Sequence, residues 1–396
     1  MNFSFNNRKG SFFLIIICLI LIITGIVLVK GLKTDTVGEI IKNDELIKIL
    51  MVLYDGDTVI WGDVLVYYPV SKRGAVFDVP GNTGSIYSSL ERVDRIDEVY
   101  REKGIETYKA EIEKLTGVSI PFTMEISIQN FSVLVDLLGG LRVFIPSPVD
   151  YVEDGVHYLL PSGAVMLDGD KVCTYLEYKL PDETLSDIQE RRQNTVVSFL
   201  AAINANKSKM FGKEVFPVYS KLFESNVDKN GFYRLLSEVS EIDADRLMPQ
   251  TVTGSSRYVD GQTLLFPYYD GQLIKDILKQ TTTALVSESG KVSSRVYVLE
   301  IQNGTNVQGL ARNTAALLQS AGYDVLSMVN ADSNDYEQTV IIDHIGNEAE
   351  VKSLASFIRC ENIITEEIKE DDDLEADSLV DFTVILGKDF DGRYVR

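Results

Sequence analysis

A run of 18 uncharged, apolar residues near the N-terminus constrains the architecture of this 396-residue chain more than any other segment. It extends from Phe12 to Val29 and reads FFLIIICLILIITGIVLV. At ~1.5 Å of rise per residue, a helix of this length approaches the ~30 Å hydrocarbon thickness of a bilayer. Arg8 and Lys9 precede the run, which suits a cytoplasmic N-terminus, but lysines also follow it. No small-x-small cleavage site follows Val29, so we expect an uncleaved, single-pass membrane anchor within residues 1–33 and an extracytoplasmic remainder.

Charge and composition disfavour several classes of protein. The formal net charge is −21. A surface this acidic repels phosphate backbones, so we expect no nucleic-acid partner. The three cysteines lie far apart and form no CxxC pair, which disfavours a zinc site or a disulfide framework. Two isolated histidines and the lack of a GxSxG segment disfavour a Ser-His-Asp hydrolase.

Predicted strands and helices alternate after a short charged stalk at residues 34–48, which is typical of an α/β domain. The predicted strands are 49–53, 63–68, 75–77, 119–128 and 141–145, and the predicted helices are 91–115 and 130–138. Asn130 is the predicted N-cap of the second helix, and Gly139 and Gly140 close that helix. The first domain is expected to cover residues 49–278.

A smaller α/β unit, residues 295–392, follows a segment rich in Ser and Thr at residues 279–294, which is predicted to be a linker. Strands are predicted at 295–301, 323–329, 340–342 and 381–386, and helices at 307–320 and 347–358, with Gly322 as a cap. The loop from Asn303 to Asn306 either caps the following helix or holds an anion at its free N–H groups. The acidic run from Glu366 to Asp377 is predicted to be a solvated loop.

Longer stretches of the chain carry a recognisable pattern. In the first domain these read TGVSIPFTMEISIQNFSVLVDLLGGLRVFIP, MLDGDKVCTYLEYK and ERRQNTVVSFL, and the smaller unit contains SSRVYVLEIQNGTNVQGLARNTAALLQSAGYDV and DFTVILGKDF. They resemble the LytR-CpsA-Psr family and its appended LytR C-terminal domain. The resemblance implies a three-layer α/β/α domain on the envelope side of a membrane. It also implies transfer of a glycopolymer from a polyprenyl pyrophosphate carrier to peptidoglycan, with arginines and a divalent metal on the pyrophosphate and an apolar pocket for the lipid.

The resemblance also implies a place for the metal. In WGDVLVYYP, Asp63 matches a family aspartate, whereas Trp61 stands where the family has an arginine. Asp57 or Asp55 matches an earlier family acid, so Asp63 with one of them forms a candidate magnesium pair, since oxygen ligands suit Mg²⁺. The alternative is that these aspartates only form turns at strand ends.

The stretch AVFDVPGNTGSIY corresponds to the family's Pro-Arg-Asp-Thr loop, which here reads Pro80-Gly81-Asn82-Thr83. A guanidinium makes two charge-assisted hydrogen bonds to a phosphate and glycine makes none, so this loop has lost its charge. Gly81 and Asn82 tolerate positive φ, and we expect them to keep the shape of the turn. Arg95 matches a basic position of the family and either reaches a phosphate or pairs with a neighbouring aspartate.

The last family cluster is partly retained. Arg192 and Gln193 match the family's final Arg-Gln pair, and Lys179 replaces an arginine. Glu177 and Gln189 stand where two further arginines would be. The adjacent Arg191 points roughly 100° away from Arg192 on a helix. Arg192 itself either binds the pyrophosphate or forms a surface ion pair.

Two functions follow from the resemblance and its departures. In the first, a membrane-anchored envelope protein binds a polyprenyl-linked lipid or peptidoglycan with a degenerate pyrophosphate site. In the second, a divergent transferase uses Mg²⁺ together with Asp63, Lys179, Arg192 and Arg95. An apolar cavity beside Gly81, Lys179 and Arg192 would favour a ligand-binding role over a purely structural one.

Overall fold

The computed structural model describes residues 36–396, except for 154, 181–182, 245–246, 248, 287–295, 322 and 366–379, together with residue 17. The predicted anchor therefore lies outside the described residues, apart from Ile17, and so do Gly322 and the acidic run at 366–377. Among the helices that are described, none has the length and apolar character needed to cross a bilayer.

The first domain contains a mixed sheet, several hairpins and helices on both faces of the sheet. Its strands are β1 (Ile47–Asp55), β2 (Thr58–Tyr68), β3 (Arg73–Asp78), β4 (Gly84–Tyr87), β5 (Arg92–Arg95), β6 (Phe122–Ser127), β7 (Leu141–Ile145), β8 (Val149–Glu153), β9 (Val156–Leu160), β10 (Gly163–Leu167), β11 (Glu224–Ser225), β12 (Gln250–Thr251), β13 (Gly254–Val259) and β14 (Gln262–Pro267). Its helices are α1 (Thr36–Lys42), α2 (Ile96–Lys103), α3 (Ile105–Thr116), α4 (Ile128–Leu138), α5 (Gly169–Glu177), α6 (Leu185–Met210), α7 (Phe216–Ser220), α8 (Lys229–Val239) and α9 (Gln272–Val286), with a 3₁₀ turn at Tyr268–Gly271.

The main sheet has the strand order β11-β6-β1-β2-β3-β12. Its central strands are apolar on both faces, which is typical of a sheet covered on both sides. Alternate residues of β2, among them Leu65 and Tyr67, face a core shared with α4 and α6. Val64 and Val66 face a second core shared with α2, α3 and α9. The sheet therefore lies between two helical layers, which is the expected α/β/α architecture.

Three local predictions differ from the structure. The helix predicted at 91–115 is a hairpin strand, β5, followed by α2 and α3, because Gly104 adopts a φ of 77° and interrupts the helix. Ser127, not Asn130, caps α4, since its Oγ accepts a 3.2 Å hydrogen bond from the Asn130 N–H. The predicted stalk contains α1, which packs on α8 and buries Val37.

The C-terminal domain is a five-stranded sheet with two helices. Its elements are β15 (Val298–Asn303), α10 (Leu310–Ser320), β16 (Asp324–Asn330), β17 (Val340–Asp343), α11 (Glu348–Ile358), β18 (Ile363–Thr365) and β19 (Phe382–Leu386). The strand order is β16-β15-β19-β17-β18. Residues 279–286 of the predicted linker belong to α9, and the rest of that segment, from 287, is not described.

The two domains are in direct contact. Helix α10 packs against α9 and against the β3 and β12 edge of the main sheet. Arg73 joins both sides, since its guanidinium donates to the carbonyl of Ser320 at 3.0 Å and to that of Ala284 at 2.7 Å. The C-terminal domain consequently lies at the sheet edge from which the Pro80–Thr83 loop emerges.

Candidate functional site

A cavity of about 670 Å³ opens where β3 ends, between the N-terminal part of α6, the β13–β14 hairpin and the C-terminal domain. It brings together five of the predicted site residues: Gly81, Asn82, Arg95, Lys179 and Arg192. Apolar side chains contribute much of the remaining wall, among them Ile60, Trp61, Val79, Leu185, Ile188 and Leu265. Thr83, Gln193, Asp63, Asp57 and Asp55 lie outside this lining.

The loop that follows β3 is held by its own backbone. Thr83 donates to the Pro80 carbonyl through its N–H at 2.9 Å and through Oγ1 at 2.6 Å. Neither Gly81 nor Asn82 has a positive φ, so the expectation that they are kept for that conformation is wrong. Gly81 is required for space, because a Cβ at this position would collide with the carboxylate of Asp97. A larger side chain here would have to displace that carboxylate.

Arg95 lines the cavity but is paired. Its Nε donates to Asp97 Oδ1 at 2.8 Å, and its Nη2 donates to Asp97 Oδ2, which makes a bidentate ion pair. Arg95 was expected either to reach a phosphate or to pair with a neighbouring aspartate, and in the structure it pairs with Asp97. A guanidinium whose Nε–Nη2 edge is bound by a carboxylate is largely neutralised and offers less charge to a phosphate.

Arg192 and Lys179 are two cations of the cavity that have no side-chain partner among the described residues. The Arg192 Nε is fully buried without a hydrogen bond there. Burial lowers the pKa of Arg192, and the nearby Asp78 opposes that effect. A buried guanidinium without a partner costs free energy, which an anionic ligand would recover.

Asp78 forms a buried polar hub at the end of β3. Its Oδ2 accepts hydrogen bonds from Gln189 Nε2, from Thr251 Oγ1 at 2.9 Å and from Gln193 Nε2 at 3.1 Å. Burial raises the pKa of Asp78, while these hydrogen bonds and Arg192 act in the opposite direction. Gln189, which stands in place of an arginine, therefore serves this carboxylate and not a phosphate.

Asp63 lies directly opposite Asp78 in the antiparallel β2–β3 pair. Residues opposite each other in such a pair point to the same face of the sheet. Asp63 is 1% exposed, and its Oδ1 is buried without a hydrogen-bond partner. Burial and the charge of Asp78 raise the pKa of Asp63 well above its ordinary value.

The magnesium pair predicted from sequence was Asp63 with Asp57 or Asp55, whereas the structure places Asp78 opposite Asp63. Asp55 pairs with Thr58 at the β1–β2 turn, whereas Asp63 is opposite Met51. Thr58 and Asp63 lie on the same strand, so at ~3.3 Å per residue Asp63 is about 16 Å along β2 from the position of Asp55. Asp57 lies in the same turn, and neither Asp57 nor Asp55 can share an ion with Asp63.

The pair that fits a magnesium ion is Asp63 with Asp78, because the orphaned Oδ1 is an oxygen ligand. Mg²⁺ commonly takes one or two carboxylates and completes its shell with water and phosphate. No cluster of three or more acidic, histidine or cysteine ligands occurs in the described ranges.

Other departures from the family pattern have structural roles. Trp61 is buried and packs edge-on against Phe131, with ring centroids 5.3 Å apart. Arg191 is buried in an ion pair with Glu183, and its Nη2 donates to the Tyr178 carbonyl at 2.7 Å. It therefore points away from the cavity, as predicted. Glu177 does not line the cavity.

One wall of the cavity belongs to the C-terminal domain, and sequence reasoning missed it. Val307, Gln308 and Gly309, which precede α10, line the cavity. Arg312 on α10 donates to Gln193 Oε1 at 3.1 Å and so connects the domain to the Asp78 hub. No local sequence pattern records contacts between residues more than 100 positions apart.

The Asn303–Asn306 loop does not cap the following helix, as one of the two alternatives had it, because the N-cap of α10 is Gly309 without a side-chain hydrogen bond. The loop is instead closed by its own side chains. Asn303 Oδ1 accepts from the N–H of Thr305 at 3.1 Å and from its Oγ1 at 2.8 Å. Thr305 Oγ1 in turn accepts from the N–H of Val307 at 3.1 Å. These donors are therefore engaged within the loop.

Comparison with known proteins identifies the class. The family model for the LytR_cpsA_psr family matches residues 72–283, more than half of the chain, and the model described as LytR cell envelope-related transcriptional attenuator matches residues 296–390. The chain belongs to the LytR-CpsA-Psr family and carries a LytR C-terminal domain.

Its relatives include polyisoprenyl-teichoic acid–peptidoglycan teichoic acid transferases TagU. The protein of Bacillus cereus AH820 is 23% identical over 207 residues, 51% of this chain and 67% of that protein. The protein of Bacillus licheniformis is 26% identical over 208 residues, 51% and 65% of the two chains. The match thus spans about two thirds of these relatives' own length.

Solved structures share the fold of the first domain. Bacillus subtilis TagV aligns with a TM-score of 0.52 at 15% identity and covers 60% of this chain and 97% of TagV. A Streptococcus agalactiae protein, gbs0355, aligns with a TM-score of 0.53 at 15% identity and covers 61% and 89% of the two chains. At this identity the likeness concerns the fold alone.

Proposed function

We propose that the cavity binds the phosphate-bearing head of a polyprenyl-linked envelope lipid, with a degenerate form of the family's pyrophosphate site. The observation that carries this proposal is a pair of cations, Arg192 and Lys179, whose side chains have no hydrogen bond or ion pair with any described residue, on a cavity whose wall combines apolar and polar side chains. The cations suit a phosphate, and the apolar wall suits the adjoining isoprenoid chain. The run from Phe12 to Val29 would anchor the chain in the membrane that contains this lipid, with both domains on the envelope side.

The site is called degenerate because charge has been lost in specific ways. Gly81 makes no contact to a phosphate through a side chain, and Arg95 is occupied by Asp97. Gln189 is occupied by Asp78. Each missing charge-assisted hydrogen bond costs about 1.5–3 kcal/mol, so three losses weaken pyrophosphate binding by several orders of magnitude relative to an intact site.

Binding of the full-length protein in nanodiscs to polyprenyl pyrophosphate tests this proposal. We expect Arg192→Ala and Lys179→Ala each to lower the affinity about 10- to 100-fold, because each removes a charged contact. The matched control is Arg92→Ala, since Arg92 pairs with Asp94 and Glu102 outside the cavity. Unchanged affinity in Arg192→Ala would contradict the proposal.

The second candidate is Mg²⁺-dependent transfer of a glycopolymer to peptidoglycan, the activity that the names of the TagU relatives state for them. The observation that favours it is Asp63, which lies opposite Asp78 and whose buried Oδ1 has no hydrogen-bond partner among the described residues. A bound Mg²⁺ would offset the negative charge of the pyrophosphate. In that case Asp63 and Asp78 hold the ion, and Arg192 and Lys179 orient the phosphates.

An assay with polymer-loaded polyprenyl carrier, peptidoglycan and Mg²⁺ separates the two candidates. The binding proposal expects no transfer above the level seen with the Arg192→Ala variant. Transfer that is lost in both Asp63→Asn and Arg192→Ala would overturn the degenerate site and establish the enzyme.

A further inference from the structure

A shallow depression of about 230 Å³ lies at the end of α6 that is opposite the cavity. It is lined by Phe211, Lys213, Phe216, Pro217 and Tyr233, which we call the aromatic patch. The three rings contact one another. Phe211 stacks on Phe216 with centroids 5.6 Å apart, and Tyr233 meets these two rings edge-on at 5.5 and 4.8 Å. The patch is therefore a preformed apolar surface and not a set of separate side chains.

The aromatic patch is open to solvent. Tyr233 is 39% exposed, and the neighbouring Val218 is 52% exposed. The hydroxyl of Tyr233 donates to the Phe211 carbonyl at 3.4 Å, so one edge of this ring is polar. Tyrosine rings, with an apolar body and a polar tip, are enriched where a membrane meets water. The composition of this surface therefore suits the boundary between water and a lipid bilayer.

The aromatic patch also lies in a basic segment of an acidic chain. Residues 207–234 contain six basic and three acidic side chains, whereas the whole chain has a net charge of −21. Lys213, Lys221 and Lys229 are exposed, and none of the three forms an ion pair with a described residue. Basic side chains beside a membrane are attracted by anionic lipids, which an acidic surface repels. The charge of this segment thus favours an anionic lipid surface as the occupant.

The length of chain between the predicted anchor and α1 limits how far this surface lies from the bilayer. The apolar run ends at Val29 and α1 begins at Thr36, so the connection spans at most about 25 Å. Helix α1 packs on α8, where a Cβ at Gly231 would touch the side chain of Val37. Tyr233 belongs to the same helix, α8. An anchor in the bilayer therefore favours the α1 and α8 side of the domain as the side that faces the membrane.

We propose that the aromatic patch docks on the surface of an anionic bilayer, with its rings among the headgroups and the nearby lysines against the lipid phosphates. The proposal rests on the proposed function only for the anchor at Phe12–Val29. A single flexible connection leaves the first domain free to turn about its anchor, whereas a second contact fixes the orientation of the domain. The patch thereby sets the direction in which the cavity opens.

The test uses the full-length protein in nanodiscs that contain brominated lipids, which quench a tryptophan only where it enters the bilayer interface. Val218→Trp places an indole at an exposed position beside the aromatic patch, and the native Trp61 is buried. We expect strong quenching of this variant by brominated phosphatidylglycerol and much weaker quenching by brominated phosphatidylcholine. Salt at ~1 M should remove the difference, because the Debye length is then only about 3 Å.

Removal of two lysines tests the charge of the surface. In the Val218→Trp background, Lys213→Ala with Lys229→Ala should lower the ratio of docked to undocked protein about 25-fold, about fivefold for each charge. The matched control is Lys103→Ala with Lys279→Ala. Both of these lysines are exposed, lack an ion pair among the described residues and lie on α2 and α9, in the opposite helical layer. The control pair should leave quenching unchanged.

Equal quenching by the two lipids would overturn the proposal, as would an equal loss in the control pair. Quenching by neither lipid would also overturn it and would assign the aromatic patch to a protein partner. Failure of the full-length protein to enter nanodiscs would refute the anchor on which both proposals depend. If Arg192→Ala leaves polyprenyl pyrophosphate binding unchanged while phosphatidylglycerol still quenches, only the proposed lipid site in the cavity fails. Intact carrier binding without quenching removes only the docking surface.

Discussion

At position 81 a single glycine bears on two cationic positions of the cavity. Gly81 stands where the family carries an arginine, so the first positive charge is absent. The space left by the missing side chain is taken by the carboxylate of Asp97, which binds Arg95 on two atoms and neutralises the second charge. The loop therefore lies against an internal ion pair at the position where the resemblance implies a phosphate-binding arginine.

The second feature at the scale of single residues is the carboxylate pair of Asp63 and Asp78. Asp78 accepts hydrogen bonds from three side chains, whereas Asp63 accepts none among the described residues. Burial and the adjacent charge raise the pKa of Asp63. The folded protein thus binds the proton of Asp63 more tightly than the unfolded chain does. The stabilisation is complete below the unfolded pKa of about 3.9 and is lost as pH rises through the folded pKa.

We therefore expect Asp63→Asn to be more stable than the wild type at pH 7.5 in the presence of a chelator. The difference should shrink as pH falls and vanish below about pH 4. Urea unfolding across this pH range measures it. Millimolar Mg²⁺ should stabilise the wild type but not Asp63→Asn, if Asp63 and Asp78 hold the ion. A pH-independent difference between the two proteins would contradict this account of the pair.

At the scale of elements, the N-terminal turns of α6 position the site. Thr184 caps the helix in a capping box with Asp187, and the buried Arg191–Glu183 pair ties the first turns to the preceding segment. Arg192 and Gln193 are the next residues on this helix. Arg192 lines the cavity, and Gln193 donates to Asp78.

The cap and the buried pair should differ in their effects on unfolding. Thr184→Ala should cost about 1 kcal/mol, since it removes one capping contact. Arg191→Met should cost about 3–5 kcal/mol, because the buried Glu183 carboxylate then loses its cation and keeps only the N–H of Leu180 as a partner. Replacing both Arg191 and Glu183 by Met should be milder than Arg191→Met alone. Urea denaturation of the three variants tests this order, and a larger loss in Thr184→Ala would contradict it.

The elements themselves were largely predictable from sequence, and the exceptions have local causes. The apolar run of β2 and the Gly139–Gly140 stop of α4 were predicted correctly, because each depends on neighbouring residues, although β2 begins earlier, at Thr58. The β4–β5 hairpin was missed because its polar second strand also fits a helical pattern. Within the site, the resemblance identified Gly81, Lys179 and Arg192. It did not identify Asp78, because the hydrogen bonds that Asp78 accepts come from α6 and β12, which are distant in sequence.

At the scale of the whole molecule, the domains are joined by specific polar contacts. Arg73 donates to Ser320 of the C-terminal domain, and Arg393 pairs with Asp276 of α9 at 3.5 Å. Arg312 contacts Gln193, and Gln280 donates to the Phe357 carbonyl at 3.3 Å. The C-terminal wall of the cavity depends on this docking, which explains why it could not be predicted from either domain separately.

We expect Arg73→Ala to uncouple the domains. The wild type should unfold in one calorimetric transition, and the variant in two, because the contact across the interface that Arg73 makes is removed. Arg92→Ala serves as the control, since its ion pairs lie within the first domain. A single transition in Arg73→Ala, shifted no further than in Arg92→Ala, would show that the interface does not depend on this residue.

The shared wall at Val307, Gln308 and Gly309 has a thermodynamic consequence. A ligand that touches both domains must strengthen their association by the same factor by which their association strengthens its own binding. Anything that separates the domains would therefore weaken the binding of such a ligand without touching Arg192 or Lys179.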